Sequence, residues 1–115
     1  DIACVQNAFN VVDRSSQPVL DACRAGGIAF VPFFPLGSAF GGDHNDVLEA
    51  PAVVATAGRL GITAAQVALA WLLDHSPNVL LIPGTSSRTH LEENLAAAEI
   101  GLDDAARQEL GAVAG

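Results

Sequence analysis

Apolar residues along the chain fall into two periods, and the switches between them mark the elements. Short apolar runs at Ile2 to Val5, Ile28 to Phe34 and Val79 to Ile82 predict strands. The second is apolar on both alternating sets, as in a strand covered on both faces of a parallel sheet. Pro32 withholds a ladder donor, so that strand is expected to end near it. Helical spacing occupies the intervals. Val19, Leu20 and Cys23 follow Pro18, with Ser15 or Ser16 as N-cap and Gly26 and Gly27 as a left-handed stop. Pro51 opens a helix to Leu60 that Gly61 closes. Thr63 and Gln66 then spell a capping box, with Ile62 and Val67 at the staple positions around it. That helix carries Val67, Leu69, Ala70, Trp71, Leu72 and Leu73 and stops before Pro77, because a residue preceding proline avoids the α region. Being apolar nearly all round, it needs cover on more than one side. A further helix places Leu91, Leu95 and Ala98 on one face, and a last one starts at Asp103 or Asp104, whose carboxylates suit the positive end of the helix dipole. Leu36 to Asn45 is Gly-rich and reads as the longest loop.

The order β-α-β-α-α-β-α-α means α/β with parallel strands. Three such strands are too few to bury these helices without a bare edge, so further strands of the same sheet are expected outside this stretch. The absence of methionine and the start at Asp1 point the same way, to a piece of a longer protein. With 115 residues, half of them hydrophobic, the chain is at most one domain, and disorder is not the default reading. The longest apolar run falls far short of the ~20 residues of a membrane span, and no basic leader marks a signal peptide. A net charge of −8 repels a nucleic-acid backbone. Cys4 and Cys23 match neither a metal spacing nor a disulfide framework. They are expected to be buried small hydrophobes, in keeping with a reducing, cytoplasmic setting.

In α/β proteins ligands sit outside the carboxyl ends of the strands, which directs attention to Gln6 and Asn7, Phe33 to Ser38, and Gly84 to Ser87. The last stretch combines a glycine, three hydroxyls and a helix N-terminus, an arrangement suited to phosphate. The plainer alternative is that Ser86 or Ser87 only caps the helix. All five cations are arginines, and tyrosine is absent as well as lysine, so a mechanism needing either cannot run on this chain alone. GGDHND at 41–46 offers oxygen and nitrogen ligands but lacks the sixth-position glycine and distal glutamate of a calcium loop, and reads as a solvated tip. Trp71 reads as core, and His75 precedes Ser76 and Pro77 at a helix C-terminus and is assigned no catalytic role. Asp13 beside Arg14, and Glu92 beside Glu93, read as surface charges.

VQNAFNVVDRS, GIAFVPFFPLGS, ITAAQVALAWLL and IPGTSSRTHLEEN follow one another in the order seen in aldo-keto reductases, and the chain resembles that family along essentially its whole length. The resemblance implies the C-terminal portion of a (β/α)8 TIM barrel, strands six to eight with their helices and the closing helix, so that residues 1–115 form one partial domain of an incomplete barrel. It implies NAD(P)H-dependent reduction of aldehydes and ketones, a small-molecule carbonyl substrate, NADP(H) as cofactor with NAD(H) possible, and a missing N-terminal half that carries the catalytic Asp, Tyr, Lys and His. No catalytic residue and no metal ligand is therefore assigned within the chain, which alone is expected to be inactive.

By motif position, Gln6 resembles the glutamine that bonds the nicotinamide carboxamide. Phe33 stands where the family places an aromatic, usually tyrosine, that stacks on the nicotinamide. Phe34, Pro35, Leu36, Gly37 and Ser38 resemble the loop along the pyrophosphate. Ile82, Pro83, Gly84, Thr85 and Ser86 resemble the turn at the adenosine 2′-phosphate, and Glu93 and Asn94 the pair that meets the adenine. Many members carry Lys and Arg where this chain has Gly84 and His90, which leaves Arg88 as the permanent cation nearby. The alternative from another class is a non-catalytic binding or interaction module that retains the βα scaffold.

Overall fold

In the computed structural model, residues 2–33, 35–37, 45–83 and 86–113 are described. They form β1 (Cys4–Ala8), α1 (Gln17–Ala25), β2 (Ala29–Phe33), α2 (Pro51–Leu60), α3 (Ala64–His75), α4 (Arg88–Ala96), a 3-10 turn (Ala97–Glu99) and α5 (Asp104–Gly111). β1 pairs with β2 in parallel, Cys4 opposite Ala29 through Ala8 opposite Phe33. The first strand thus lies two residues later than the apolar run suggests, and Gln6 and Asn7 belong to it. Backbone bonds to β2 decide this, since a strand edge tolerates polar side chains when its N–H and C=O groups are paired.

Val79 to Ile82 does not form the expected third strand. It contributes a single parallel bridge between Phe30 and Val79, in which Phe30 N donates to Asn78 O at 2.9 Å and Leu80 N donates to Phe30 O at 3.0 Å. Backbone groups of alternate residues face the same neighbour, so the next bond on that side would come from the N–H of residue 32. Pro32 has none, and the ladder stops after one bridge. The opposite side is untouched, which is why β2 runs past Pro32 to Phe33 on its pairing with β1.

The local helix codes act as read. Thr63 Oγ1 accepts from Gln66 N while Gln66 Oε1 accepts from Thr63 N, both at 3.1 Å. Gly61 closes α2 at φ +69°, α3 ends before an extended Ser76, and Asp103 caps α5 by accepting from Ala106 N at 2.8 Å. Ser16 precedes α1 without a side-chain cap bond. Phe9, Leu20, Phe30, Val53, Val67, Leu72 and Leu110 are fully buried in one core that also holds Trp71. Cys23 is buried, whereas Cys4 is exposed, contrary to expectation. Leu91 and Leu95 are also exposed, and Ala97 is the residue that turns inward beyond α4. Among the described residues nothing covers the Leu91–Leu95 face. No single described helix is long and apolar enough to cross a membrane, and α2 and α3 meet at 99°.

Arg14 is not the surface charge its neighbours suggest. Its guanidinium lies 4.5 Å from the Trp71 ring centroid and donates to Val11 O, to Leu110 O at 2.7 Å and to Gly111 O at 3.3 Å. A cation here satisfies the last carbonyls of α5 and complements the negative end of its dipole. Trp71 also stacks with His75 at 4.5 Å and with Phe9 at 5.9 Å. Burial, reinforced by Arg14, pushes the His75 imidazole below its ordinary value. Its Nε2 lies 2.8 Å from Gln17 Oε1.

Arg14→Met is expected to destabilise the protein by about 2 to 3 kcal/mol, since charge-assisted bonds to part-buried carbonyls are lost. Arg14→Lys should recover less than half of that, because an ammonium cannot span three carbonyls and a ring; urea unfolding measures both. A second outcome concerns acid. The Arg59 guanidinium, bonded to Asp103 at 2.7 and 3.1 Å, and then the Ala106 N–H hold the Asp103 carboxyl down to about 2, against 3.8 unperturbed. A lowered carboxyl stabilises the fold above the unperturbed value and loses that contribution as pH falls through the folded one. The stability deficit of Asp103→Asn should accordingly be full at neutral pH, shrink below about pH 4 and vanish near pH 2, read as unfolding midpoints across that range.

Candidate functional site

The carboxyl end of β1 and β2 opens onto a cavity of about 530 Å³ lined by Gln6, Val31, Pro32, Phe33, Pro35, Leu36, Gly37, Asn45, Ile82 and Pro83. Parallel pairing puts Gln6 opposite Val31 and leaves Phe33 at the strand exit. Phe33 is 42% exposed, unusual for a large aromatic at the end of an otherwise buried strand, and Ile82 is 70% exposed. An amide, an aromatic ring and apolar walls can hold a flat, uncharged heterocycle, with the amide fixing its orientation.

A second cavity of about 460 Å³ is lined by Leu36, Leu48, Thr63, Ala64, Ala65, His90, Glu93 and Asn94. Its floor is the start of α3 and its wall is α4. Gln66 connects the two, donating from Nε2 to Glu93 O at 3.1 Å while completing the capping box. Leu36 lines both cavities, so they adjoin at the turn Pro35 to Gly37 and can be read as two lobes of one groove.

Of the sequence-predicted residues, Gln6, Phe33, Pro35, Leu36, Gly37, Ile82 and Pro83 meet in the first lobe, and His90, Glu93 and Asn94 in the second. Ser86 and Arg88 line neither. Ser87 serves as the N-cap of α4, accepting from His90 N at 3.3 Å, which leaves Ser86 exposed ahead of it. Arg88 is 91% exposed at its side chain and pairs with Glu92 at 3.1 Å across one helical turn, a contact weak enough to exchange for a stronger anion. Phe34, Ser38, Gly84 and Thr85 lie outside the described residues, as does most of the GGDHND stretch, 41–44. Asn45, Leu48 and Thr63 to Ala65 are lining residues that sequence reasoning did not assign to a site. For Thr63 the capping box gave its place but not its second neighbour. For Asn45 the Asx pattern before an apolar Val-Leu pair was the available signal.

The sequence model described as "Aldo/keto reductase family" matches residues 1–114. The chain is 48% identical over 104 residues to pyridoxine 4-dehydrogenase of Escherichia coli, covering 90% of this chain and 34% of that protein. It is 30% identical to the aldo-keto reductase yakc [NADP(+)] of Schizosaccharomyces pombe, covering 86% of this chain and 36% of that protein. Among solved structures, an aldo/keto reductase of Klebsiella pneumoniae in complex with NADP and acetate superposes with a TM-score of 0.83 at 28% identity, over 94% of this chain and 38% of that one. The chain thus spans about a third of the length of the curated relatives it matches.

Proposed function

The chain belongs to the aldo/keto reductase family, and from that premise we propose that it is the cofactor-holding, C-terminal portion of a (β/α)8 barrel oxidoreductase that reduces an aldehyde or ketone with NADPH. The observation that carries the reading is the two-lobed groove divided at Leu36, with Gln6 and Phe33 in one lobe and Glu93 and Asn94 in the other. A dinucleotide has that shape, two flat ring systems joined by a narrow pyrophosphate. The residues fit it. The exposed face of Phe33 suits stacking, the Gln6 amide offers both donor and acceptor to a carboxamide, and the half-buried Glu93 and Asn94 offer polar groups to an adenine edge.

A reduced nicotinamide held by Gln6 and Phe33 would supply the hydride for the carbonyl carbon. The chain's own side chains orient and enclose. Gln6 would hold the carboxamide and so set the orientation of the ring, Phe33 would cover one face of it, and the backbone at Leu36 and Gly37 would lie along the pyrophosphate. Arg88, exposed and paired only with Glu92 among the described residues, would be free to exchange that partner for the 2′-phosphate. Reduction leaves an alkoxide that needs a positioned proton donor. With neither tyrosine nor lysine in this sequence, that donor is assigned to residues beyond it, as is the choice of carbonyl substrate.

Calorimetric titration of the full-length protein with both oxidised cofactors tests the reading. Arg88→Ala should weaken NADP by tenfold or more, ~1.4 kcal/mol, and leave NAD nearly unchanged, because a 2′-phosphate brings about −2 charge and NAD lacks it. Equal weakening of both, or of neither, would show that Arg88 takes no part. Phe33→Ala should weaken both cofactors by about 1 to 3 kcal/mol through lost stacking area, with Phe33→Tyr close to neutral. Unchanged affinity in Phe33→Ala would place the nicotinamide elsewhere.

A further inference from the structure

The turn that divides the groove is held by one side chain. Asn45 Nδ2 donates to the Leu36 carbonyl at 2.8 Å, across nine positions of sequence. The same carboxamide turns its Oδ1 the other way and accepts from Val47 N at 3.0 Å and Leu48 N at 2.9 Å, while the Asn45 carbonyl accepts from Glu49 N at 2.9 Å. Asn45 therefore caps the turn that leads toward α2 and clasps the start of the connection after β2. Gly37 completes the device. Its φ is +88°, and a Cβ built there would lie 2.7 Å from Asn45 Oδ1, so the carboxamide occupies the space that any other residue at 37 would fill. Both lone pairs of Oδ1 are engaged, one Nδ2 hydrogen is spent on Leu36, and the side chain is half-buried in the wall of the first lobe.

We propose that Asn45 is a positioning residue for dinucleotide binding, setting the backbone of Leu36 and Gly37 in the conformation against which the cofactor lies; this rests on the oxidoreductase reading above. The assignment follows from what the position requires. Leu36 is common to both lobes, so a shift of its carbonyl moves the partition between them. Holding that carbonyl while capping a second turn needs a donor and an acceptor on one short side chain, which Asn provides. Asp keeps the acceptor but sets a carboxylate against the Leu36 carbonyl. Ser keeps a cap and is too short to bridge.

The test uses the full-length protein and NADP as the probe. Asn45→Asp is expected to raise the NADP dissociation constant tenfold or more, to raise the KM for cofactor in parallel, and to leave kcat at saturating cofactor and the KM for aldehyde within twofold. A role confined to stability would lower the melting temperature without that split. Should Asn45→Asp fail to fold, Asn45→Ser carries the same measurement. The coupling with Gly37 gives a second readout. Gly37→Ala should weaken NADP more in the wild-type background than in Asn45→Ser, where the clash is relieved and only the left-handed φ remains. Wild-type affinity in the Asn45 variant, or additive losses in the double variant, would overturn the proposal. A wild-type protein that itself binds no NADP would overturn the oxidoreductase reading instead.

Discussion

The backbone N–H that Pro32 lacks decides which way the sheet extends, and with it where the groove opens. Phe30 has both backbone groups turned to the segment around Val79, so Pro32 faces that segment too and has nothing to donate. Strand pairing on that side ends after one bridge, while pairing with β1 continues to Phe33. The consequence is a staggered rim. β2 continues past its bridge to Val79 and ends level with β1, Phe33 emerges partly exposed opposite Ala8, and Ile82, outside the ladder, lines the same cavity as Phe33 and Gln6. A valine at 32 would offer the same apolar surface together with the backbone donor that Pro32 lacks.

Behind that rim, the core is organised around α3, apolar nearly all round. Covering such a helix takes partners from several directions, and Trp71 recruits them through Phe9, His75 and Arg14. Arg14 in turn binds the final carbonyls of α5, so one cation joins the β1–α1 connection, the central helix and the last helix. Bidentate pairs of Arg59 with Asp103 and Arg107 with Asp74 add links from α5 to α2 and α3. These are exposed and contribute modestly. The Arg14 contacts are the ones whose loss would take partners from part-buried carbonyls of Val11 and Leu110.

The same economy of side chains serves the groove. Gln66 completes a cap at the start of α3 and also holds the Glu93 carbonyl of α4, so the helix end beneath the second lobe is tied to the helix beside it. Asn45 does the corresponding work for the first lobe. In each case a residue that satisfies its own turn has a spare donor, and that donor ties down the wall on which ligand contacts would depend. Exposure of Arg88 contrasts with this. Arg88 pairs with Glu92 at the surface, whereas Asn45 and Gln66 are held by bonds to backbone.

Features that close within one helical turn were legible from the residues alone. The capping box at Thr63 and Gln66, the left-handed Gly61, the stop before Pro77 and the start at Asp103 each complete their bonds among neighbours three or four positions away, so no distant contact can revise them. The motifs that carry the family resemblance were legible too, as were most of the residues that meet in the two lobes. The tertiary structure decided the rest. The direction in which Pro32 lacks its donor depends on which neighbour Phe30 chooses. Arg14 reads as a surface charge until Leu110, 96 positions away, is brought to it. Cys4, Leu91 and Leu95 are apolar residues whose exposure depends on what packs against them, and Asn45 looks like a solvated loop residue until Leu36 is folded back onto it. Local sequence specifies bonds that local sequence can complete; a donor, a face or a charge whose partner lies far along the chain acquires its role only when folding supplies that partner.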